Sequence, residues 1–237
     1  MLDYFREKRP SENFLLVADT HNQLQNNDDL EKFINIIGIP GSAHQKYQHI
    51  LLLGDISVND IECIRKLLPK LFEKGEVYGI YGNHDSKKTF DWFGIHDLHG
   101  RMAHVSGIKI AGWEGSSKYK NERFPSMLQS ESIQYAKSIS ICGESPDLLI
   151  SHDKPRTDWV KKEHALEILE HHVGLAGIYE YMKIADIPVN IHGHYHTNYA
   201  KQLPNGSEEI CIFPFACLRI WKDRAFRIYD MNGKEIQ

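Results

Sequence analysis

The chain has 237 residues, of which 41% are hydrophobic and 25% are charged. This composition is ordinary for a soluble globular protein and excludes the disordered and fibrous classes. The formal net charge of -4 gives no large positive field of the kind that draws a protein onto nucleic acid or anionic lipid, so nucleic acid is not a favoured partner.

Short apolar runs bounded by polar or turn residues recur along the chain, and they predict buried strands. The runs are 14–18, 50–53, 77–81, 108–111, 148–150, 189–191 and 210–213. Helical spacing predicts a helix between the first two runs, with Asn27 or Asp28 as its N-cap and Gly38 as its stop. A second helix, in one piece over 61–72, is predicted between the next two. The chain therefore opens as βαβαβ.

Further helices are predicted in the second half of the chain. One is expected at 130–141 and another at 165–185, the latter broken near Gly174 and Gly177. Asn205-Gly206 lies between strand-like runs and is typical of a hairpin turn. The chain is expected to end in antiparallel strands.

The amino-terminal residues and the cysteines bear on location. The first ten residues are rich in charged side chains and contain no apolar segment, so they do not resemble a signal peptide. No apolar run approaches the roughly 20 residues that a membrane span needs. The four cysteines form no Cys-x-x-Cys pair, which favours reduced thiols. We expect a cytoplasmic protein without a membrane segment, and a single domain over 1–237, because no repeat or linker divides the chain.

Several predicted strands end directly in a carboxylate, an amide or an imidazole. The carboxyl ends of strands in an open α/β sheet meet at one rim, so these groups should form one site. They are Asp19, His21, Asp55, Asn83, His152, His194 and His196. The set is too large for one tetrahedral ion and suits two divalent ions such as Mn, Fe, Zn, Co or Ni. A hydroxide held between two such ions attacks phosphorus well near neutral pH, so phosphoryl transfer is the reaction best served.

Each of these polar clusters alone is typical of a turn or a helix cap, but their joint order is specific. The order Asp-x-His, Gly-Asp, Gly-Asn-His-Asp, His and Gly-His-x-His resembles that of the calcineurin-like metallophosphoesterases. The resemblance implies an α/β fold, a four-layer α/β/β/α sandwich of two mixed sheets. It also implies hydrolysis of a phosphate mono- or diester by a metal-bridging hydroxide, with a nucleotide or another small phosphoester as substrate. We expect manganese as the metal.

The resemblance assigns roles by position. Three ligands are assigned to one metal ion: Asp19, His21 and His196. Three are assigned to the other ion: Asn83, His152 and His194. Asp55 would bridge the two ions. His84 would protonate the leaving-group oxygen or stabilise the transition state, and Asp85 would orient His84.

The chain departs from the Ser/Thr protein-phosphatase branch of this superfamily. Gly54-Asp55 is not followed by Asp-Arg-Gly, and the last residue of the third motif is Asp85 instead of Glu. These departures favour the phosphodiesterase, nucleotidase and small-phosphatase branches. The alternative function is a non-catalytic scaffold of the same fold, although a scaffold would be free to lose the metal ligands. A metallo-β-lactamase-type hydrolase is disfavoured, because the His-x-His-x-Asp-His motif is absent.

Other polar residues have less specific predictions. His192 is expected to be buried or to lie behind the ligands. Three histidines in helical sequence are expected on a solvated face: His164, His171 and His172. Asp153 is either an orienting residue or the start of a turn. The segment 112–125 is either a lip beside the substrate or an ordinary exposed loop.

Overall fold

The structure is a computed structural model. It describes residues 12–38, 46–118, 125–139, 144–160, 172–221 and 225–236. The first half contains β1 (Glu12–Val17), α1 (Asn27–Ile37), β2 (His49–Leu52), α2 (Val58–Leu67), α3 (Pro69–Glu73), β3 (Val77–Gly79), α4 (Thr89–Phe93), β4 (His96–Asp97), β5 (Met102–Val105) and β6 (Ile108–Trp113). The second half contains β7 (Ser116–Ser117), β8 (Ser126–Met127), α5 (Gln129–Ile139), β9 (Leu148–Ser151), α6 (Ala176–Ile184), β10 (Val189–His192), β11 (Tyr199–Gln202), β12 (Glu208–Cys211), β13 (Phe215–Ile220) and β14 (Phe226–Tyr229).

The strands form two six-stranded mixed sheets and a short two-stranded one. The first sheet has the order β14-β13-β1-β2-β3-β4, in which β1 to β4 are parallel to one another, β13 pairs antiparallel with β1, and β14 pairs antiparallel with β13. The second has the order β11-β12-β10-β9-β6-β5, with antiparallel strands at both edges. The predicted βαβαβ opening, the hairpin at Asn205-Gly206 and the antiparallel closing strands are confirmed.

Three apolar cores separate four layers. Alternate residues of both sheets, such as Phe14 and Leu16 of β1, form the core between the sheets. The opposite face of the first sheet, including Leu15 and Val17, packs against α1 to α4. The outer face of the second sheet, including Trp113, packs against α5 and α6. This order of layers confirms the predicted α/β/β/α sandwich.

The helix predicted in one piece over 61–72 is two helices. α2 ends at Leu67, and Leu68, with φ −126° and ψ 50°, leads into Pro69 at the first turn of α3. Proline lacks the N–H that a helix interior needs, and it disfavours helical geometry in the residue before it. One helix therefore cannot continue through this point.

The cap of α1 differs from its prediction by one residue. Asn26 is the N-cap, and its side chain accepts a hydrogen bond from the N–H of Asp28. Asparagine supplies such an acceptor equally well at either position, so composition alone does not select one. Gly38 ends the helix as predicted.

The second-half helices show one error of prediction. The expected break at Gly177 is wrong, because Gly177 lies inside α6. A Cβ at this position would collide with the backbone of Ser132 in α5, so this glycine allows two helices to touch and does not end one. Residues 165–171 of the predicted helix, and the last two of 130–141, lie outside the described residues.

Among the described helices, none has the length and apolar character that crossing a bilayer requires.

Candidate metal centre

All seven predicted ligands follow strands whose carboxyl ends meet at one rim of the two sheets. The first sheet supplies Asp19, His21, Asp55 and Asn83, after β1, β2 and β3. The second sheet supplies His152, His194 and His196, after β9 and β10. Both sheets are therefore needed to assemble the rim.

Potential ligand atoms lie together in two groups, each within 4.8 Å, that share Asp19. The first group is buried and consists of Asp19, Asp55, His152 and His194. The second consists of Asp19, His21 and His196. Asp55 faces both groups, because its Oδ2 lies 3.4 Å from His152 Nε2 and 3.9 Å from His21 Nε2. Asn83 Oδ1 lies 2.9 Å from His152 Nε2 and so adjoins the first group.

The backbone turns sharply at these residues. In the described chain nine non-glycine residues have positive φ, and five of them are predicted ligands: Asp19, His21, Asp55, His194 and His196. The left-handed conformation costs about 1 kcal/mol or more at such residues and is concentrated at functional sites. The fold therefore tolerates strain at this rim to place these side chains.

Asp19 connects the two sheets at the rim. Its Oδ2 accepts a hydrogen bond of 2.7 Å from the N–H of His194. Gly193 allows this approach, because a Cβ there would collide with the Asp19 carboxylate. The other oxygen, Oδ1, is buried and has no hydrogen-bond partner within the described ranges. A buried carboxylate oxygen in this state is costly unless a ligand occupies it.

His152 is fully buried and fixed at both ring nitrogens. Nδ1 lies 2.9 Å from the carbonyl oxygen of Leu53, which can only accept, so Nδ1 carries a proton. Nε2 then faces Asn83 and Asp55, the direction from which a metal ion would bind. Burial acts to lower the pKa of His152, but the Asp55 carboxylate raises it, to about 10. A metal ion therefore has to displace a proton from this ring.

Three carboxylates are crowded at the rim. Burial is the main cause that raises the pKa of Asp19 to about 7. Burial and the Asp55 charge raise the pKa of Asp85 to about 6. Burial also acts to raise the pKa of Asp55, but the neighbouring His152 and the N–H of His84 hold it below its usual range. The rim thus concentrates carboxylates, whose negative charge a bound cation would balance.

Asp85 holds the backbone of two loops of the site in place. Its carboxylate accepts hydrogen bonds from three backbone N–H groups, two of which belong to Asp55 and Gly82, each at 2.7 Å. Asp85 therefore ties the loop after β2 to the loop after β3, which the sequence did not predict. Its orienting effect on His84 stays a prediction. His84 itself is exposed at the rim, and its N–H donates to Asp55 Oδ1 at 2.8 Å.

Comparison with known proteins identifies the family. A model of the calcineurin-like phosphoesterase family matches residues 12–198, which is most of the chain. The chain belongs to the calcineurin-like phosphoesterase family. The resemblance predicted from the order of the motifs is therefore confirmed.

Solved structures share the calcineurin-like phosphoesterase fold. TT1561 of Thermus thermophilus is 11% identical with a TM-score of 0.61, over 93% of this chain and 99% of that chain. A dimetal phosphatase from Danio rerio is 11% identical with a TM-score of 0.54, over 92% and 95%. The 5'-nucleotidase from Candida albicans SC5314 is 13% identical with a TM-score of 0.53, over 94% of this chain and 52% of that chain. At these identities the likeness shows the fold alone. A search of curated proteins gives no match.

The residues of this calcineurin-like phosphoesterase fit divalent metal ions. The donors are imidazole nitrogens and carboxylate or amide oxygens, a set that suits ions of intermediate hardness. Asp19 Oδ1 is buried with no hydrogen-bond partner in the described part of the chain. The family and the buried Asp–His group together indicate a divalent metal site.

The sequence missed a histidine beside this phosphoesterase site. His172 is predicted on a solvated helix face, but it lies outside any helix, with φ +56°. Its ring centroid lies 4.6 Å from that of His194. The available signal is Gly174, where the sequence predicts a break of the helix: this glycine has φ +84°, and α6 begins only at Ala176. His164 and His171 lie outside the described residues.

Asp153 and the described part of the 112–125 segment prove to be connected. Asp153 is buried and accepts hydrogen bonds from the hydroxyl of Tyr195 at 3.0 Å and from the N–H of Ser117 at 2.8 Å. Ser117 and Ser116 are themselves buried, so this part of the segment is not an exposed loop. Residues 119–124 lie outside the described ranges. Asp153 is therefore an anchor behind Tyr195, beside the metal centre.

His192 is fully buried, as predicted. Its Nδ1 lies 2.8 Å from the carbonyl oxygen of Gly193, and its Nε2 lies 3.4 Å from Glu209 Oε1. Glu209 also accepts a hydrogen bond of 2.6 Å from the Tyr199 hydroxyl and lies 3.1 Å from Lys201 Nζ. These contacts hold the His192 ring against the carbonyl oxygen of Gly193 and so stabilise the turn at Gly193.

Proposed function

We propose that the protein is a phosphoester hydrolase that uses two divalent metal ions. Its substrate would be a phosphate mono- or diester of a nucleotide or another small molecule. The observation that supports this proposal is the pair of Asp–His groups that share Asp19, with Asp55 in the first group and 3.9 Å from His21 of the second. One group is buried, and His21 and His196 of the other are exposed, so a substrate could reach the centre from solvent.

The proposed ligands follow the two groups. Asp19, His21 and His196 would hold one ion. Asn83, His152 and His194 would hold the other. Asp55 would contact both, in a loop that Asp85 holds in place. We propose manganese, with Fe, Zn, Co or Ni as alternatives that the same donors accept.

Bound divalent ions supply an activated water and positive charge that faces the phosphoryl oxygens. His84 would donate a proton to the leaving-group oxygen. His84 is exposed at the rim, and its ring centroid lies 5.9 Å from that of His21, which supports this role.

The alternative is a non-catalytic scaffold of the same fold. A scaffold would gain nothing from carboxylates whose pKa is raised mainly by burial and further by the Asp55 charge, since burying charge without a partner destabilises a fold. The crowding of Asp19, Asp55 and Asp85 therefore favours the enzyme.

We also propose one domain over 1–237 and a cytoplasmic location. The core between the sheets includes residues from Phe14 to Ile228, which supports a single unit. The free thiols of Cys63, Cys211 and Cys217 favour a reducing compartment. Cys142 lies outside the described residues.

The first experiment is a metal-dependence assay. Metal-stripped protein is reloaded with Mn²⁺ and assayed on p-nitrophenyl phosphate and bis-p-nitrophenyl phosphate, alongside an elemental metal count. We expect activity only after reloading, with about two ions per chain. A protein that neither binds metal nor turns over either ester would favour the scaffold. Bound metal without turnover would indicate a substrate that neither ester represents.

A pair of variants separates chemistry from metal binding. His84→Ala should lower kcat by ~10²-fold or more with metal content unchanged, on the scale usual for acid-base residues. Asp55→Asn should instead lose metal. His104→Ala, at an exposed histidine of β5, is the matched control and should do neither. Full activity of His84→Ala on esters with poor leaving groups would contradict the acid role.

A further inference from the structure

A basic lip, formed by Lys154, Tyr195 and His172, borders the metal centre. The Tyr195 ring lies 5.4 Å from the His194 ring between centroids, at 90°. Lys154 Nζ lies over the Tyr195 ring, 4.4 Å from its centroid. The His172 ring contacts both aromatic neighbours, with centroids 5.5 Å from Tyr195 and 4.6 Å from His194. The ammonium group of Lys154 thus lies one side chain beyond a proposed metal ligand.

The lip is anchored on both sides. The Tyr195 hydroxyl and the N–H of Lys154 both donate to Asp153 Oδ1, at 3.0 and 2.9 Å. The carbonyl of Lys154 accepts from the N–H of Leu175 at 2.9 Å, and the Arg156 N–H donates to the Leu175 carbonyl at 3.1 Å. These bonds fix the backbone that carries the lysine.

The charge of Lys154 is not neutralised by a carboxylate within the described residues. Two lysines elsewhere on the molecule, by contrast, pair with carboxylates: Lys87 with Glu114 at 2.8 Å, and Lys201 with Glu209 at 3.1 Å. Lys154 is instead half-buried over an aromatic ring, where a positive charge interacts with anions more strongly than in open solvent.

We propose that the basic lip is an anion subsite that binds a second negatively charged group of the substrate. The inference rests on the proposed function, in which the metal centre binds the scissile phosphoryl group. A group bound by Lys154 would lie beside the Tyr195 ring, which in turn adjoins the ring of His194, so it would belong to a part of the substrate other than the scissile phosphoryl group. The substrate class is therefore a phosphoester that carries another phosphate or a carboxylate. Lys154 determines specificity and takes no part in the chemical step.

The test compares three phosphonates of similar length by calorimetric titration into Mn²⁺-loaded protein. Propylphosphonate carries one anionic group, carboxyethylphosphonate adds a carboxylate, and ethylenediphosphonate adds a second phosphonate. We expect the doubly anionic probes to bind about 10-fold more tightly, since hydrogen bonds to charged groups have that effect. Comparing the carboxylate and phosphonate probes identifies which second group the lip prefers.

Lys154→Met should abolish the preference while leaving propylphosphonate affinity and metal content unchanged. Lys154→Arg should keep part of it. Lys88→Met is the matched control, because Lys88 is an exposed lysine in the segment that follows Asp85. An equal loss in Lys88→Met would show a general field effect and overturn the subsite.

The failures of the two proposals are distinguishable. If wild-type protein binds metal and propylphosphonate but shows no preference for a second anion, the subsite is wrong and the proposed function stands. The subsite is also wrong if the preference survives in Lys154→Met. A protein that binds neither metal nor propylphosphonate would overturn both.

Discussion

At the residue scale, Asp19 shows how a proposed metal ligand lowers the stability of the metal-free protein. It is fully buried, and burial is the main cause that raises its pKa to about 7. A carboxyl whose pKa is higher in the folded than in the unfolded state destabilises the fold when it ionises. The cost begins above the ordinary aspartate pKa of 3.8, grows as pH rises, and is complete above about pH 7. A bound cation would remove this cost.

Asp19→Asn should therefore stabilise the metal-free protein at about pH 8 by about 1 to 4 kcal/mol, since the rise of the Asp19 pKa from 3.8 to about 7 corresponds to about 4 kcal/mol. Asparagine keeps an oxygen that can accept from the N–H of His194. Near pH 4 wild type and variant should differ little. Urea unfolding in the presence of a chelator measures both, with Asp91→Asn at an exposed position as control. A less stable variant at pH 8 would contradict the assignment.

At the scale of elements, the contact between α5 and α6 depends on a glycine inside a helix. Gly177 donates its N–H to the Ser132 hydroxyl at 2.9 Å, and no Cβ fits between it and the Ser132 backbone. At an exposed helix position Gly→Ala would stabilise by about 1 kcal/mol. Here the overpacking reverses the sign, since the backbone of α5 would have to move.

We expect Gly177→Ala to lower the free energy of unfolding by about 1 to 3 kcal/mol. Chemical denaturation of the variant and wild type gives the difference. Ser138→Ala, at an exposed position of α5, is the control and should change stability by at most about 0.5 kcal/mol. A Gly177→Ala variant that is more stable than wild type would contradict this prediction. It would show that α5 can move away from α6 without a loss of stability.

At the scale of the whole molecule, metal ions should hold the two sheets together. Asp19 and Asp55 follow strands of the first sheet, whereas His152 and His194 follow strands of the second. A ligand that binds only the folded state stabilises it by mass action, by about 2.7 kcal/mol at a concentration of 100 times Kd. The stabilisation here would oppose separation of the sheets.

Thermal unfolding with and without Mn²⁺ should show a higher Tm with the metal, and a chelator should reverse the rise. His152→Ala should lose the rise, because its ring is buried among the proposed ligands of the second sheet. His104→Ala should keep it. A rise of equal size in His152→Ala would mean that the metal stabilises the protein from another site.

The sequence by itself determined the features that depend on neighbouring residues. Short apolar runs located seven of the strands, namely β1, β2, β3, β6, β9, β10 and β12, and Gly38 ended α1 as predicted. The polar residues directly after the strands marked the rim, because a strand end fixes the position of the residue that follows it. Their order along the chain was sufficient to predict the family.

Only the tertiary structure decided which distant residues meet. The Asp19 carboxylate and the N–H of His194 are 175 positions apart, and only the packing of one sheet on the other brings them into contact. Pairing of strands within one sheet brings other distant residues together: β2 beside β3 gives Asp85 its backbone partners, and β9 beside β10 places Lys154 over Tyr195. Gly177 looked like a helix break because local pattern cannot show that a second helix lies against it. These contacts depend on the path of the whole chain, which no local periodicity contains.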